Sequence, residues 1–231
     1  FVRKGNQTVY PTVDRSILVR IETENGVVGW GETYGIVAPG AVLAIINELL
    51  ALFVIGRDPM DVTAIHDDLY GLMRVRGYTG GFYLDALAGI DTALWDIAGK
   101  LVNLPLSTLL GGRRHERIPA YVSGLPQPTR QQRADFAAEW RDKGFSAFKF
   151  ASPVADDGVV AEIATLREAL GPDIRIACDM HWSHTAQEAV ALIRSMEPHG
   201  LWFAEAPVKT EDIAGLAHVA ANVATTIAAG E

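Results

Sequence analysis

The chain has 231 residues, 49% of them hydrophobic and 21% charged, with 20 Lys and Arg against 28 Asp and Glu for a formal charge of −8. Such a composition supports one sizeable core or one and a half ordinary domains and excludes a disordered tail or a coiled coil. The acidic balance, with no run of Lys or Arg, lacks the electrostatic footprint of a protein that binds nucleic acid or an anionic membrane.

Taken in chain order, residues 16–23 and 27–32 alternate as strands do and flank Asn25-Gly26. This pattern predicts a hairpin with a type I′ turn, in which both central residues take a positive φ. Helical periodicity follows over residues 41–53, 59–73 and 82–102. In the last, Leu87, Ile90, Leu94, Ile97 and Leu101 recur at three- and four-residue spacing, and Asn103-Leu104-Pro105 ends the helix. A hairpin followed by helices reads as an α+β domain, assigned to residues 1–114.

From Ile118 the pattern changes. Short apolar runs at 118–122, 145–150, 174–179, 201–205 and 226–229 alternate with amphipathic stretches at 129–143, 157–170, 185–197 and 211–222. The runs start 27, 29, 27 and 25 residues apart, a regular βα repeat that predicts parallel strands joined by helical crossovers over residues 115–231. A TIM-type barrel and an open doubly wound sheet both suit this repeat. No strand is followed by G-x-G-x-x-G, which argues against the dinucleotide-binding version of the open sheet. The single cysteine, Cys178, makes no intrachain disulfide, and with neither a signal segment nor a long apolar run in the sequence, a cytoplasmic soluble protein is expected.

In parallel α/β proteins the chemistry gathers at the carboxyl ends of the strands. Here the second run closes on Lys149, the third on Asp179-Met180-His181, the fourth on Glu205 and the fifth on Glu231. Asp179, Glu205 and Glu231 are spaced 26 and 26 residues apart, which predicts equivalent positions on three successive strands. Three carboxylates in one pocket repel unless a cation neutralises them, and an all-oxygen set favours Mg2+. Strand alternation would turn His181 toward the same pocket as Asp179 and leave Cys178 facing the helices as core packing. Singly, a strand-end carboxylate is as often a helix cap as a ligand, and a lone histidine is more often structural. His184, His199 and His218 read as structural, whereas His181 is distinguished by Asp179 two residues earlier.

These residues resemble the enolase superfamily, in particular its mandelate racemase/muconate-lactonizing group. The marks are Ile90-Asp-Thr-Ala-Leu-Trp-Asp-Ile-Ala-Gly-Lys100, Leu104-Pro-Leu-Ser-Thr-Leu-Leu-Gly-Gly112, Trp202-Phe-Ala-Glu-Ala-Pro207 and Ile227-Ala-Ala-Gly-Glu231. The resemblance implies an α+β capping domain and a modified (β/α)7β barrel, of which strands one to five are in this sequence. It also implies Mg2+ held by Asp179, Glu205 and Glu231, homo-oligomeric assembly, and a longer protein whose later strands carry the general base. Substrate choice would lie in capping-domain loops, around Arg3, Lys4 and Asn6 and around Arg74, Arg76 and Tyr78.

Two departures narrow the activity that the resemblance implies. Racemases and cycloisomerases of the group often carry Lys-x-Lys on the second strand, the second lysine acting as base; here Lys149 is followed by Ala151. The third strand reads Asp-Met-His rather than the commoner Asp-x-Asn, which looks like galactonate- and mannonate-type acid-sugar dehydratases, where that histidine is the general acid. The usual Glu-Glu-Pro of the fourth strand is Glu205-Ala206-Pro207 here, which keeps the ligand and loses its neighbour. The expected activity is therefore Mg2+-dependent dehydration of a small sugar-acid carboxylate, with Lys149 and His181 catalytic. A racemase, epimerase, cycloisomerase or non-catalytic member is the alternative.

Overall fold

In the computed structural model, which describes residues 12–230, the first element is an antiparallel hairpin of β1 (Ser16–Glu22) and β2 (Val28–Tyr34). Its turn differs from the type I′ expectation. Only Gly26 is left-handed (φ 84°), and the Gly26 N–H donates to the Thr23 carbonyl. The loop Glu24-Asn25-Gly26 is thus a three-residue connection with a left-handed glycine at its end. The Thr23 hydroxyl stabilises it by accepting from the Val27 N–H and donating to the Val27 carbonyl.

The hairpin lies on α3 (Phe82–Val102), and glycine makes the approach possible. A Cβ at Gly31 would stand 2.0 Å from the Gly89 carbonyl oxygen, and one at Gly29 would stand 2.2 Å from that of Ala93. Backbone therefore packs on backbone, while Ile17 and Val19 of β1 join Leu87, Ile90 and Leu94 of α3 in one buried cluster. The α3 stripe is buried as far as Ile97, whereas Leu101 is exposed.

The segment read as one helix over 41–53 is three pieces: α1 (Pro39–Ala44), a π turn (Ile45–Leu49) and a 3-10 turn (Leu50–Phe53). Its buried residues, Val42, Ile46 and Leu50, recur every four positions. Then α2 (Val62–Arg74) adds Val62, Ile65 and Leu69 to the same core, and the short α4 (Leu106–Leu109) follows.

The described residues divide into two units, 12–116 and 117–230. The second is a five-stranded parallel sheet in the order β3-β4-β5-β6-β7, formed by Val122–Ser123, Ala147–Ala151, Arg175–Asp179, Leu201–Glu205 and Thr226–Ala228. Four helices alternate with the strands: α5 (Arg130–Asp142), α6 (Val159–Leu170), α7 (Ala186–Met196) and α8 (Ile213–Asn222). Sequential strand order with helical crossovers fits part of a barrel and bears out the expected α/β class. The run at 118–122 is the exception: pairing covers only Val122 and Ser123, and Ile118 is 82% exposed.

Alternation gives the sheet two distinct faces. Phe148, Phe150, Ile176, Cys178, Leu201 and Ala204 pack into the core with Ala137, Ile163, Leu166, Ile193 and Val219 of the helices. Lys149, Ala177, Asp179 and Glu205 belong to the opposite face. Between α5 and α6 the Arg133 guanidinium donates two 2.7 Å bonds to the Glu162 carboxylate, and both residues are 1% exposed. Among the described residues no helix is long and apolar enough to cross a membrane.

Candidate active site

Lys149 sits at mid-strand in β4, with Ser123 of β3 and Ala177 of β5 as its lateral partners. Because Ala177 presents only a methyl group, the lysine side chain can pass over β5 and donate a charge-assisted hydrogen bond to Glu205 Oε2 on β6. The lysine is largely buried. Burial alone would lower its pKa, but the hydrogen bond and charge of Glu205, aided by Tyr121 and Asp179, hold it above the ordinary lysine value. Lys149 is therefore a fixed cation.

Asp179 ends β5 in register with Glu205, so the two carboxylates are lateral neighbours on adjacent strands. His181 Nδ1 lies 2.9 Å from Asp179 Oδ1, and the His181 backbone N–H donates to the same oxygen at 3.0 Å. Burial pushes the Asp179 carboxyl up, yet the two His181 contacts and the charge of Lys149 outweigh it and leave the pKa below the usual carboxylate range. The expected meeting of Asp179 and His181 is found, with a different cause. The strand ends at Asp179, and His181 comes back to the carboxylate through a left-handed backbone (φ 53°), not by strand alternation.

Lys149, Asp179, His181 and Glu205 are thus brought together across three strands. Glu231 lies outside the described residues, as do Arg3, Lys4 and Asn6. The residue of β7 paired with Glu205 is Ala228, three positions before Glu231. Equal register is found for Asp179 and Glu205. Arg74, Arg76 and Tyr78 are exposed residues of the first unit.

The sheet register also shows residues that the sequence reading missed. Ile176 pairs with Leu201 but Cys178 pairs with Ala204, so β6 carries one extra residue, and Trp202 and Phe203 together oppose Ala177. Tyr121 meets both rings edge-on, at centroid distances of 6.3 and 6.1 Å, and the Lys149 ammonium is 5.8 Å from the Tyr121 ring. Adjacent aromatics at one face need a bulge, which periodicity alone does not reveal. Elsewhere, a crevice of about 540 Å³ at the starts of α7 and α8 includes His184, Glu188, Lys209, Asp212 and His218, and contains none of the four converging residues.

The donor chemistry suits a hard divalent cation. Asp179 and Glu205 are neighbouring, partly buried carboxylates, and Lys149 and His181 engage one oxygen of each, so that each retains a second oxygen. A magnesium site needs only one or two protein carboxylates beside water and substrate oxygens. Among the described residues no three metal-ligating side chains form a cluster. Asp179 and Glu205 would be the nucleus of such a site.

Residues 6–111 match the mandelate racemase/muconate lactonizing enzyme N-terminal domain, and residues 132–231 match the enolase C-terminal domain-like family. D-galactonate dehydratase from Xanthomonas euvesicatoria is 36% identical over 97% of this chain, and D-galactarolactone cycloisomerase from Agrobacterium fabrum is 36% identical over 93%. This chain spans 60% of the first relative's length and 57% of the second's. Among solved structures, a Sinorhizobium meliloti protein provisionally described as an isomerase shares 73% identity with a TM-score of 0.98, over all of this chain and 59% of that one. The 3,6-anhydro-D-galactonate cycloisomerase of Zobellia galactanivorans shares 32% identity with a TM-score of 0.82, over 93% of this chain and 59% of that one.

Proposed function

Since the chain belongs to the mandelate racemase/muconate lactonizing group of the enolase superfamily, we propose that the protein is a Mg2+-dependent acid-sugar dehydratase. It acts on a small sugar-acid carboxylate in the cytoplasm as a homo-oligomer, with residues 1–114 as capping domain and 115–231 as a partial barrel ending at the fifth strand. The observation that carries this reading is the His181 imidazole held on Asp179 beside the Lys149–Glu205 pair, with alanine at 151, where a second lysine would serve as base.

Asp179 and Glu205, with Glu231 as third carboxylate, would hold the metal, which supplies a Lewis acid for the substrate carboxylate and makes the α proton easier to remove. A base outside the described residues removes that proton. Lys149 Nζ, kept cationic by Glu205, stabilises the negative charge that develops on the substrate carboxylate. With Nδ1 turned to Asp179, His181 carries a proton on Nε2 to the β-hydroxyl; as the C–O bond breaks, hydroxyl and proton leave as water. The enol left behind tautomerises to a 2-keto-3-deoxy acid.

Cycloisomerisation is the second reading, favoured by the relatives and neighbours bearing that name. The test is a screen of aldonic and aldaric acids with Mg2+, reading 2-keto-3-deoxy products as semicarbazones. Dehydration predicts a product that disappears with EDTA and returns with Mg2+. Conversion of a sugar-acid lactone into a product of unchanged mass, with no loss of water, would overturn it in favour of cycloisomerisation.

A further inference from the structure

Beyond Asp179 and Glu205 the two chains run on side by side but out of step. The β5 side uses five residues to go from Asp179 to His184, while the β6 side uses three to go from Glu205 to Val208, and both end pairs are bridged in parallel. The surplus of two residues is absorbed where His181 and Trp182 both turn left-handed, at φ 53° and 52°. Opposite them Ala206 is left-handed as well, at φ 47°. Three non-glycine residues in this region of φ, all beside one site, mark backbone conformations imposed by their surroundings.

The hydrogen bonds identify those surroundings. Met180 N–H donates to the Glu205 carbonyl at 2.9 Å, Trp182 N–H to the Ala206 carbonyl at 2.7 Å, and Ala206 N–H to the Ala228 carbonyl at 3.0 Å. The Ser183 hydroxyl donates to the His181 carbonyl at 2.9 Å, and the Trp182 ring meets the His181 ring at 5.9 Å. Ala206 therefore links the strand bearing Glu205 to the turn bearing His181. Its carbonyl accepts from Trp182 N–H while its own backbone is left-handed, and the residue is 4% exposed.

We propose that Ala206 is a positioning residue, whose left-handed backbone holds the His181–Trp182 turn and so keeps the His181 imidazole on Asp179. This rests on the reading of His181 as general acid. A left-handed conformation excludes β-branched residues far more strongly than asparagine or glycine, which adopt it readily. Ala206→Asn and Ala206→Val add comparable bulk to a buried position but differ in tolerance of positive φ, so comparing them separates backbone conformation from packing.

The first readout is the crystal structure of each variant. Ala206→Asn and Ala206→Gly keep His181 left-handed with Nδ1 on Asp179, whereas Ala206→Val releases the turn. The second, on the sugar acid found by the screen, is the partition between α-proton exchange with solvent deuterium and elimination. Ala206→Val retains exchange and loses elimination by about tenfold or more, a share of the 10² to 10⁴ that general acid catalysis supplies, while Ala206→Asn eliminates close to the parent rate. The proposal is overturned if His181 stays on Asp179 in Ala206→Val, or if Asn and Val variants lose elimination and thermal stability alike. If the parent protein eliminates water from no sugar acid, the dehydratase reading falls, and the crystal structures alone still decide whether Ala206 holds the turn.

Discussion

Arg133 and Glu162 form an ion pair almost wholly removed from water, with two parallel 2.7 Å bonds and a third from Arg133 to the Gln127 carbonyl at 2.9 Å. Replacing Arg133 by methionine keeps most of the aliphatic stem and removes the whole counter-charge, which leaves the Glu162 carboxylate buried at the α5–α6 contact. Removing one partner of such a pair typically costs about 3–5 kcal/mol. For a protein of this size that corresponds to a fall in Tm of roughly 6–20 °C at about 2–4 °C per kcal/mol. Replacing both residues, Arg133→Met with Glu162→Leu, removes the stranded charge and should recover most of that loss, because a buried pair and an apolar pair of similar volume differ little. Urea titration of the parent, both single variants and the double variant measures the coupling directly. A Arg133→Met variant within about 1 kcal/mol of the parent, or a double variant weaker than both singles, would refute the reasoning.

Gly31→Ala places a methyl group 2.0 Å from the Gly89 carbonyl oxygen, where only backbone can move; it should cost about 3 kcal/mol, read by urea titration, whereas Gly40→Ala in α1, with open space around it, should be neutral or stabilising by about 0.5–1 kcal/mol. Burial lowers the His184 pKa below its ordinary value of 6.5. The unfolded chain then binds the proton more readily than the folded one, so stability is full above about pH 6.5 and falls as pH drops through the unfolded and then the folded pKa; His184→Gln should flatten that part of the stability profile, measured by thermal melts from pH 7.5 to 5. Lys149→Met removes the cation beside the developing charge and leaves Glu205 without its partner; turnover should fall by about 10² or more, while a variant that keeps parent-like turnover would remove Lys149 from the chemistry.

Much of the second unit is legible because the apolar runs of β4, β5 and β6 are buried; these strands and the four helices fall within two or three residues of their expected bounds. The run at 118–122 misled because apolar composition alone does not supply a pairing partner, and its strand shrinks to the two residues that reach Phe148 and Lys149. Asp179 and Glu205 could be read from strand ends, whereas Lys149, read as closing its run, sits in the middle of β4. The aromatic trio Tyr121, Trp202 and Phe203 could not, because a one-residue bulge in β6 sets which way Trp202 and Phe203 face. The same holds for the left-handed turn that returns His181 to Asp179. Its conformation comes from bonds to residues 24 or more positions away, such as Trp182 to Ala206, and no local propensity records it.

The central claim is that His181 protonates the leaving hydroxyl and takes no part in removing the α proton. The most direct measurement follows His181→Asn in D2O by NMR on the preferred sugar acid, with Mg2+ present and the 2-keto-3-deoxy product quantified beside deuterium at the α carbon. The account predicts elimination slowed by about 10² to 10⁴, α-deuterium still entering recovered substrate, and Mg2+ affinity nearly unchanged. Elimination at the parent rate, or loss of exchange together with elimination while Mg2+ still binds, would contradict it.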